Sequence, residues 1–178
     1  MIHLCMVEPE IPPNTGNVSR LAAALNVPLH LIEPLGFDIS ERSVRRAGLD
    51  YWEHVKLSVH PSWQAFLETR PTRLIYTSSF ADQLYTEIEY QVGDCLVFGK
   101  ETAGLNPKLW QETPGPIVRI PHWGPVRSLN LSNAVSIVAY EAIRQLANRG
   151  VMPPPVDRPA DRAPETLYEK RKRGSSSV

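Results

Sequence analysis

Short apolar runs alternate with amphipathic segments through the first 150 residues. Six apolar runs bounded by turn residues predict β-strands: Ile2–Val7, Leu29–Glu33, Val55–Val59, Leu74–Thr77, Cys95–Phe98 and Ile117–Ile120. Five segments predict helices: Thr15–Leu25, Glu41–Ala47, Ser62–Thr69, Pro107–Glu112 and Leu131–Asn148. Because strands and helices alternate, the pattern predicts an α/β fold with a parallel sheet between helices.

The last of these segments, Leu131–Asn148, has the clearest helical pattern. Its apolar side chains follow spacings of three and four residues and form one stripe. Asn130 predicts the N-cap of this helix, and Gly150 predicts its end. Ile137 and Tyr140 lie on the opposite side, which is therefore not fully polar. Partial exposure and a subunit interface are equal alternatives for that side.

The composition changes after residue 150. Five of the seventeen prolines lie in residues 151–178, which contain few apolar side chains and end in the basic run Lys170–Arg173 followed by serines. Such a segment cannot bury enough apolar surface to offset the entropy lost on ordering. We therefore predict one domain over residues 1–150 and a disordered, proline-rich basic tail over residues 151–178.

Charge gives only a weak indication about partners. Nineteen Lys and Arg residues balance nineteen Asp and Glu residues, which disfavours a protein coated in positive charge for nucleic acid. The tail holds six basic and four acidic residues, so residues 1–150 hold thirteen and fifteen, a net charge of −2. A nucleic-acid contact on the body needs a local patch, and its main basic group is Arg42, Arg45, Arg46 and Lys56. A solvated helix face is the alternative for that group.

Several classes of protein are disfavoured by what the sequence lacks. Two cysteines, Cys5 and Cys95, make neither a disulfide framework nor, alone, a structural zinc site, and the five histidines show no metal-ligand spacing. Gly99-Lys100 is not the end of a P-loop, because Glu101 follows the lysine where a P-loop has serine or threonine. No apolar stretch reaches ~18 residues and no signal peptide is evident, so we expect a cytoplasmic protein with no membrane contact.

Three segments carry more polar residues than scaffolding needs. After the first strand, Glu8–Arg20 combines prolines that fix an extended loop with a helix start that Asn14 or Thr15 can cap. Asn17 and Arg20 lie three residues apart and share a helix face. A capped helix with a surface arginine is the alternative.

The other two segments follow later strands. In Leu96–Leu105, two glycines bracket a carboxylate, which permits close approach of a ligand or an unusual dihedral, with a plain turn as the alternative. In residues 117–136, polar side chains cluster at a helix start in a number larger than capping requires. They are Ser128, Asn130, Ser132 and Asn133. This surplus indicates hydrogen bonds to a ligand or a buried polar network.

Taken together and in this order, the three segments resemble the SpoU branch of the SPOUT superfamily of RNA methyltransferases. The resemblance rests on N-x-G-N-x-x-R at residues 14–20, L-V-F-G-K-E-x-x-G-L at 96–105, and I-P followed by S-L-N-L-S-N-A within 120–134. Ile32–Phe37 and Arg45–Tyr51 extend it to the minimal subgroup that methylates the 2′-oxygen of tRNA nucleotide 34, the wobble position. Residues 122–126 do not match a fixed family sequence.

The resemblance implies a deep trefoil knot at the C-terminal end of the domain, an obligate homodimer and S-adenosylmethionine (AdoMet) held in the knot. The dimer fits the uncertain side of the last helix. The AdoMet site implied by position comprises Thr77, Ser78, Gly99, Glu101, Ile120, Ser128, Leu129 and Asn130. AdoMet already carries a good leaving group, so no metal is expected.

The implied reaction is in-line attack of a ribose 2′-oxygen on the sulfonium methyl group. The resemblance assigns activation of the hydroxyl to Arg20. A free arginine has a pKa above ~12 and is a poor base at neutral pH, so we expect it to bind a phosphate and stabilise the developing alkoxide. The residues expected to hold the geometry are Asn17, Glu101, Ser128 and Asn130. The anticodon stem-loop of tRNA is the expected partner, and the residues expected to bind its phosphates are Arg20, Arg42, Arg45, Arg46 and Lys56. Methylation at another RNA site and a non-catalytic RNA-binding dimer are the alternatives.

Overall fold

A parallel sheet of seven strands organises the part of the chain that the computed structural model describes, residues 1–38, 52–69, 71–152 and 155. The strands are β1 (His3–Val7), β2 (Leu29–Ile32), β3 (Leu57–His60), β4 (Arg73–Thr77), β5 (Gln83–Leu84), β6 (Asp94–Phe98) and β7 (Ile117–Arg119). The helices are α1 (Pro12–Leu25), α2 (Trp63–Leu67), α3 (Lys108–Glu112) and α4 (Leu131–Asn148), with a 3₁₀ turn at Trp52–His54. The strand order is β3-β2-β1-β6-β4-β7-β5.

Helices cover both faces of the sheet, as buried parallel strands require. Leu4 and Met6 of β1 pack into the cluster that contains Val18 of α1 and Val138 of α4. The alternate residues of β1 pack on the other face with α2 and α3, in a cluster that contains Phe66. The predicted parallel sheet between helices is thus confirmed.

Most predicted elements match the structure within a few residues. All six predicted strands are present, and α4 has its predicted bounds, with Asn130 Oδ1 accepting from the backbone N–H groups of its first turn. The strand β5 was not predicted, because two residues are too few for a pattern. The predicted helix Glu41–Ala47 lies outside the described residues, as does nearly all of the predicted tail.

The start of α1 differs from the prediction. The helix begins at Pro12, its N-cap is Ile11, and no side chain caps it, so the prediction that Asn14 or Thr15 is the cap was wrong. The physical reason is that Pro12 and Pro13 fit the first turn, where a missing N–H costs no helical hydrogen bond. Asn14 therefore lies in the first turn of α1, and its side chain is available for contacts other than capping.

Three histidines from neighbouring strands lie in a row. Nδ1 of His3 is 3.1 Å from Nε2 of His30, and Nδ1 of His30 is 3.1 Å from Nε2 of His60. The ring of Phe66 packs against the second and third of them. Within the described ranges, no group of three His, Cys, Asp or Glu side chains is arranged to hold a metal ion. None of the described helices is long and apolar enough to cross a membrane.

The strand order determines where the loops meet. β6, β4 and β7 are consecutive in the sheet and parallel, so the segments after Phe98, Thr77 and Arg119 leave the same edge. β1 lies on the other side of β6, so α1 begins at this edge too. Ligands of open α/β sheets bind at such carboxyl ends.

Candidate active site

A cavity of about 980 Å³ opens at this edge of the sheet. Its lining includes every residue of the implied AdoMet site: Thr77, Ser78, Gly99, Glu101, Ile120, Ser128, Leu129 and Asn130. Ile11 and Asn14 contribute the wall on the side of α1. The loops after β4, β6 and β7 therefore bring together residues that are up to 53 positions apart in the sequence, as Thr77 and Asn130 are.

The loop after β6 is closed on itself. The backbone N–H of Gly104 donates to the carbonyl of Lys100 over 2.9 Å, and Gly104 has a φ of +68°. A Cβ at Gly99 would lie 2.1 Å from the carbonyl carbon of Gly104. The unusual dihedral expected from the sequence is therefore at the second glycine, while the first is required by the close approach of the loop's own backbone.

The Glu101 carboxylate is held by three donors from the start of α1. Oε2 accepts from the backbone N–H of Glu10 over 2.8 Å, and Oε1 accepts from Asn14 Nδ2 over 2.8 Å and from the backbone N–H of Ile11 over 3.3 Å. Burial raises the pKa of this carboxyl, but the hydrogen bonds from Asn14 and the backbone outweigh burial and lower the pKa overall. Glu101 is thus an ionised acceptor that fixes the loop, a role that suits positioning better than proton transfer.

A polar network continues from this carboxylate into α4. Asn130 Nδ2 donates to Asn14 Oδ1 over 2.9 Å, and Asn130 Oδ1 accepts from the hydroxyl of Ser132 over 2.7 Å. Asn14 is only 4% exposed. Two members of the polar surplus at the start of α4, Asn130 and Ser132, therefore belong to a network that joins two helices, while Ser128 and Asn133 are exposed. Asn14 is the site residue whose role was missed, because its signal was interpreted as a helix cap.

One ion pair and two hydrogen bonds also join the loop after β6 to the segment before α1, on its exposed side. Lys100 Nζ lies 2.8 Å from Glu8 Oε2, and Thr102 donates to the Glu10 carboxylate from its backbone N–H and its hydroxyl, both over 3.1 Å. The hydrogen bond with Glu8 raises the pKa of Lys100. We call these four residues the clasp. No sequence signal predicts it, because its partners are 92 positions apart.

Asn17 and Arg20 stand apart from the rest of the predicted catalytic set. Both are exposed on α1, and neither lines the cavity, whereas Glu101, Ser128 and Asn130 do. Asn17 Nδ2 donates to the Ser132 hydroxyl over 3.5 Å, so this face of α1 lies beside the start of α4. The structure thus separates the predicted residues into a cavity wall and an adjoining helix surface.

The predicted RNA-binding residues are only partly accounted for. Arg42, Arg45 and Arg46 lie outside the described residues. Lys56 is exposed immediately before β3, the edge strand farthest from β6 on that side of the sheet. Lys56 precedes the amino end of β3, whereas the cavity lies at the carboxyl ends of β4, β6 and β7. The structure does not bring Lys56 to the cavity.

One residue of the cavity lining, Thr77, has a buried polar atom without a partner among the described residues. Thr77 Oγ1 has no hydrogen-bond partner in the described part of the chain, although the residue lines the cavity. Buried polar atoms are nearly always paired in native proteins. An unpaired hydroxyl in a cavity wall indicates that a polar ligand completes it.

Comparison with known proteins decides the family. The SpoU rRNA methylase family matches residues 1–140. The chain belongs to the SpoU rRNA methylase family. A relative from Acidovorax sp. (strain JS42), a tRNA (cytidine(34)-2'-O)-methyltransferase, is 46% identical and covers 90% of this chain and 100% of its own length.

Two solved structures of RNA-methylating proteins are similar to this chain. One, from work on the 2-OH methylation of C/U34 on tRNA, is 50% identical with a TM-score of 0.77, covering 84% of this chain and 98% of the other. The second, an AdoMet-bound rRNA methyltransferase from Sinorhizobium meliloti, is 25% identical with a TM-score of 0.70, covering 82% of this chain and 56% of the other. The resemblance to the SpoU branch is therefore confirmed.

Proposed function

We propose that this SpoU-family chain is an AdoMet-dependent methyltransferase that modifies the ribose 2′-oxygen of nucleotide 34, cytidine or uridine, in the tRNA anticodon loop. One observation carries the proposal. The eight residues implied by the family resemblance line a single cavity, in a chain 46% identical to a tRNA (cytidine(34)-2'-O)-methyltransferase. The anticodon loop suits such a site because its bases are unpaired and can leave the stack.

The residues of the cavity fit AdoMet. The volume of about 980 Å³ lies in the range of cofactor sites, and the unpaired Thr77 hydroxyl offers a contact to a polar group. Thr77, Ser78, Gly99 and Leu129 would hold the adenosine portion through backbone and hydroxyl groups. AdoMet, when bound, supplies a methyl group on a sulfonium that is a good leaving group. The AdoMet-bound relative from Sinorhizobium meliloti supports this choice of donor.

The chain's own residues would supply orientation and charge. Glu101, Asn14 and Asn130 fix the cavity wall against α1, and such fixed geometry accounts for much of an enzyme's rate. Arg20, on the adjoining surface of α1, would bind an RNA phosphate and stabilise the alkoxide as the 2′-hydroxyl passes its proton to water, while the O–CH₃ bond forms and the CH₃–S bond breaks. Asn17 would hold the RNA and Ser128 the methyl donor, on the two sides of the reacting oxygen and methyl group.

Several finer features complete the proposal. We propose a deep trefoil knot at the C-terminal end of the domain, close to the cavity-lining residues Ser128, Leu129 and Asn130. We propose a cytoplasmic homodimer that buries Ile137 and the 56% exposed Tyr140 of α4. Residues 151–178 would form a separate tail beside the domain 1–150, and Lys170–Arg173 would add a phosphate contact. Loss of tRNA affinity when 151–178 is deleted is the test of that contact.

The direct test is to incubate the protein with labelled AdoMet and total tRNA and to map the methylated nucleotide. We expect 2′-O-methylation at nucleotide 34. Label at another nucleotide would support the alternative of a different RNA site. Binding of tRNA without consumption of AdoMet would support a non-catalytic RNA-binding dimer. Label in small molecules after nuclease treatment, with none in RNA, would contradict all three.

A further inference from the structure

Large apolar side chains are exposed around the mouth of the cavity. Phe80 is 95% exposed and Trp123 is 93% exposed, the highest values among the large hydrophobic residues that the structure describes. Two further exposed apolar residues are close by: Ile11 lines the cavity, and Val126 precedes Arg127, which lines it. Exposed apolar groups that cluster around a site mark an interaction surface more often than an accident of composition.

The two aromatic residues come from neighbouring strands. Phe80 follows the end of β4 by three residues, and Trp123 follows the end of β7 by four. These strands pair in parallel, with Thr77 opposite Val118, so both segments leave the same edge of the sheet. Phe80 itself lines the cavity, and His122, next to Trp123, does so too.

The backbone that carries the two rings is restrained before any partner binds. The N–H of Ser78 donates to the carbonyl of Val118 over 2.9 Å, and the N–H of Phe80 donates to the Ser78 hydroxyl over 3.3 Å. Trp123 lies between Pro121 and Pro125, whose rings restrict the chain. Presenting a rigid aromatic ring from a restricted backbone lowers the entropy lost on binding.

We propose that Phe80 and Trp123 form a stacking platform for the unpaired nucleobases that flank the nucleotide being methylated. The inference rests on the proposed function, because an RNA whose ribose reaches the cavity has to pass this mouth. Every base has an aromatic face, and a single-stranded loop exposes it, so two exposed rings at the entrance match this partner. Neither ring carries a charge, so the contact differs in kind from phosphate binding by basic residues.

Kinetic measurements on full-length variants test the platform. We expect Trp123→Ala to raise the KM for the tRNA by roughly tenfold, the double variant with Phe80→Ala to raise it further, and Trp123→Phe to retain most of the affinity. The Kd for AdoMet should stay within twofold of wild type in Trp123→Ala, because Trp123 lies outside the cavity lining. Val92→Ala, which changes a 51% exposed apolar residue outside the cavity lining, is the control and should leave both constants unchanged.

Salt dependence and fluorescence separate stacking from charge. Because stacking releases no counterions, the slope of log affinity against log salt should be the same for Trp123→Ala and wild type. Binding of an anticodon stem-loop RNA should quench tryptophan emission in wild type, and most of the quench should disappear in Trp123→Phe. An RNA with abasic sites at nucleotides 33 and 35 should bind wild type and Trp123→Ala equally.

Three results would overturn the platform. An unchanged KM for tRNA and unchanged stem-loop affinity in the double variant would remove its basis. A raised Kd for AdoMet without a change in RNA affinity would assign the rings to the donor. A changed sedimentation coefficient would assign them to a second copy of the chain. Failure of the proposed function is distinguishable, because wild type would then leave nucleotide 34 unmethylated while stem-loop binding could still be measured.

Discussion

Asn130 donates a 2.9 Å hydrogen bond to the side-chain oxygen of Asn14, 116 positions earlier in the chain. The amide of Asn14 donates in turn to Glu101 over 2.8 Å, so one buried asparagine uses its acceptor and its donor on two different segments. Replacing this side chain would break both connections at once.

Asn14→Asp keeps the shape of the side chain but loses its donor and places a second carboxylate against Glu101. We expect a loss of about 2 kcal/mol in the free energy of unfolding, together with loss of methyl transfer, because a buried hydrogen bond is replaced by like-charge repulsion. Urea unfolding and a methyl-transfer assay measure the two effects. Asn133→Asp, at an exposed position in the first turn of α4, is the matched control and should be tolerated. Equal effects of the two substitutions would contradict the network.

Glu101→Gln removes the charge that accepts hydrogen bonds from Asn14 and the backbone of Glu10. We expect the free energy of unfolding to fall by roughly 1–3 kcal/mol at pH 7. Since the folded-state pKa of the carboxyl is lowered, its contribution is complete above the ordinary value of 4.5 and is lost as the pH falls below it. The stability difference between wild type and variant should therefore shrink below pH 4.5 in denaturant titrations. A constant difference down to pH 3 would show that the ionised form is not what matters.

Arg20→Ala tests the role proposed for the exposed face of α1. We expect at least a hundredfold loss of kcat for tRNA methylation with little change in the Kd for AdoMet, because Arg20 lies outside the cavity lining. Arg20→Lys should recover only part of the activity, since an ammonium group lacks the guanidinium fork. Calorimetry with AdoMet and a radiolabel transfer assay provide the two readouts. Transfer near the wild-type rate in Arg20→Ala would refute this role.

The row of histidines predicts acid sensitivity. Burial, and then the neighbouring rings of His3 and His60, lower the pKa of His30 to about 4. Between pH 6.5 and 4 the unfolded chain therefore binds more protons here than the folded chain, so stability falls as the pH falls through this window. Partial exposure screens the effect, and we expect a loss of about 1 kcal/mol.

Denaturant unfolding at several pH values measures this loss. His30→Gln should flatten the dependence between pH 6.5 and 4, whereas His54→Gln, at an exposed position, should leave it unchanged. An identical pH slope in wild type and His30→Gln would place the acid-sensitive group elsewhere.

Reversal of Arg45 and Arg46 to Glu tests the basic group of the body. We expect a large loss of tRNA affinity and a shallower salt dependence, since each lost phosphate contact reduces counterion release. Lys56→Glu should have a smaller effect on binding, because Lys56 precedes the amino end of an edge strand. Anisotropy titrations with labelled tRNA at several salt concentrations measure the affinity and the salt dependence of both variants and wild type. Unchanged affinity after the double reversal would indicate a solvated surface.

Local patterns predicted the elements of this fold but only part of its site. The strands and α4 were predictable because burial of both sheet faces imposes apolar runs, and because Asn130 is a strong cap. The start of α1 was not, since Asn14 satisfies the local rule for a cap while its actual partner is 116 residues away. The family resemblance named eight of the residues that line the cavity. The clasp carries no local sequence signal at all.

The hydrogen bonds that build the cavity wall join residues separated by 87 to 116 positions. Closing such long loops has an entropic cost that must be met before these contacts contribute any stability, so they form late relative to local helices and turns. A chain still emerging from the ribosome holds α1 and β1 long before α4 exists. We therefore expect the proposed methyl donor to bind only once α4 has formed, so that donor binding can serve as a sensitive assay for complete folding.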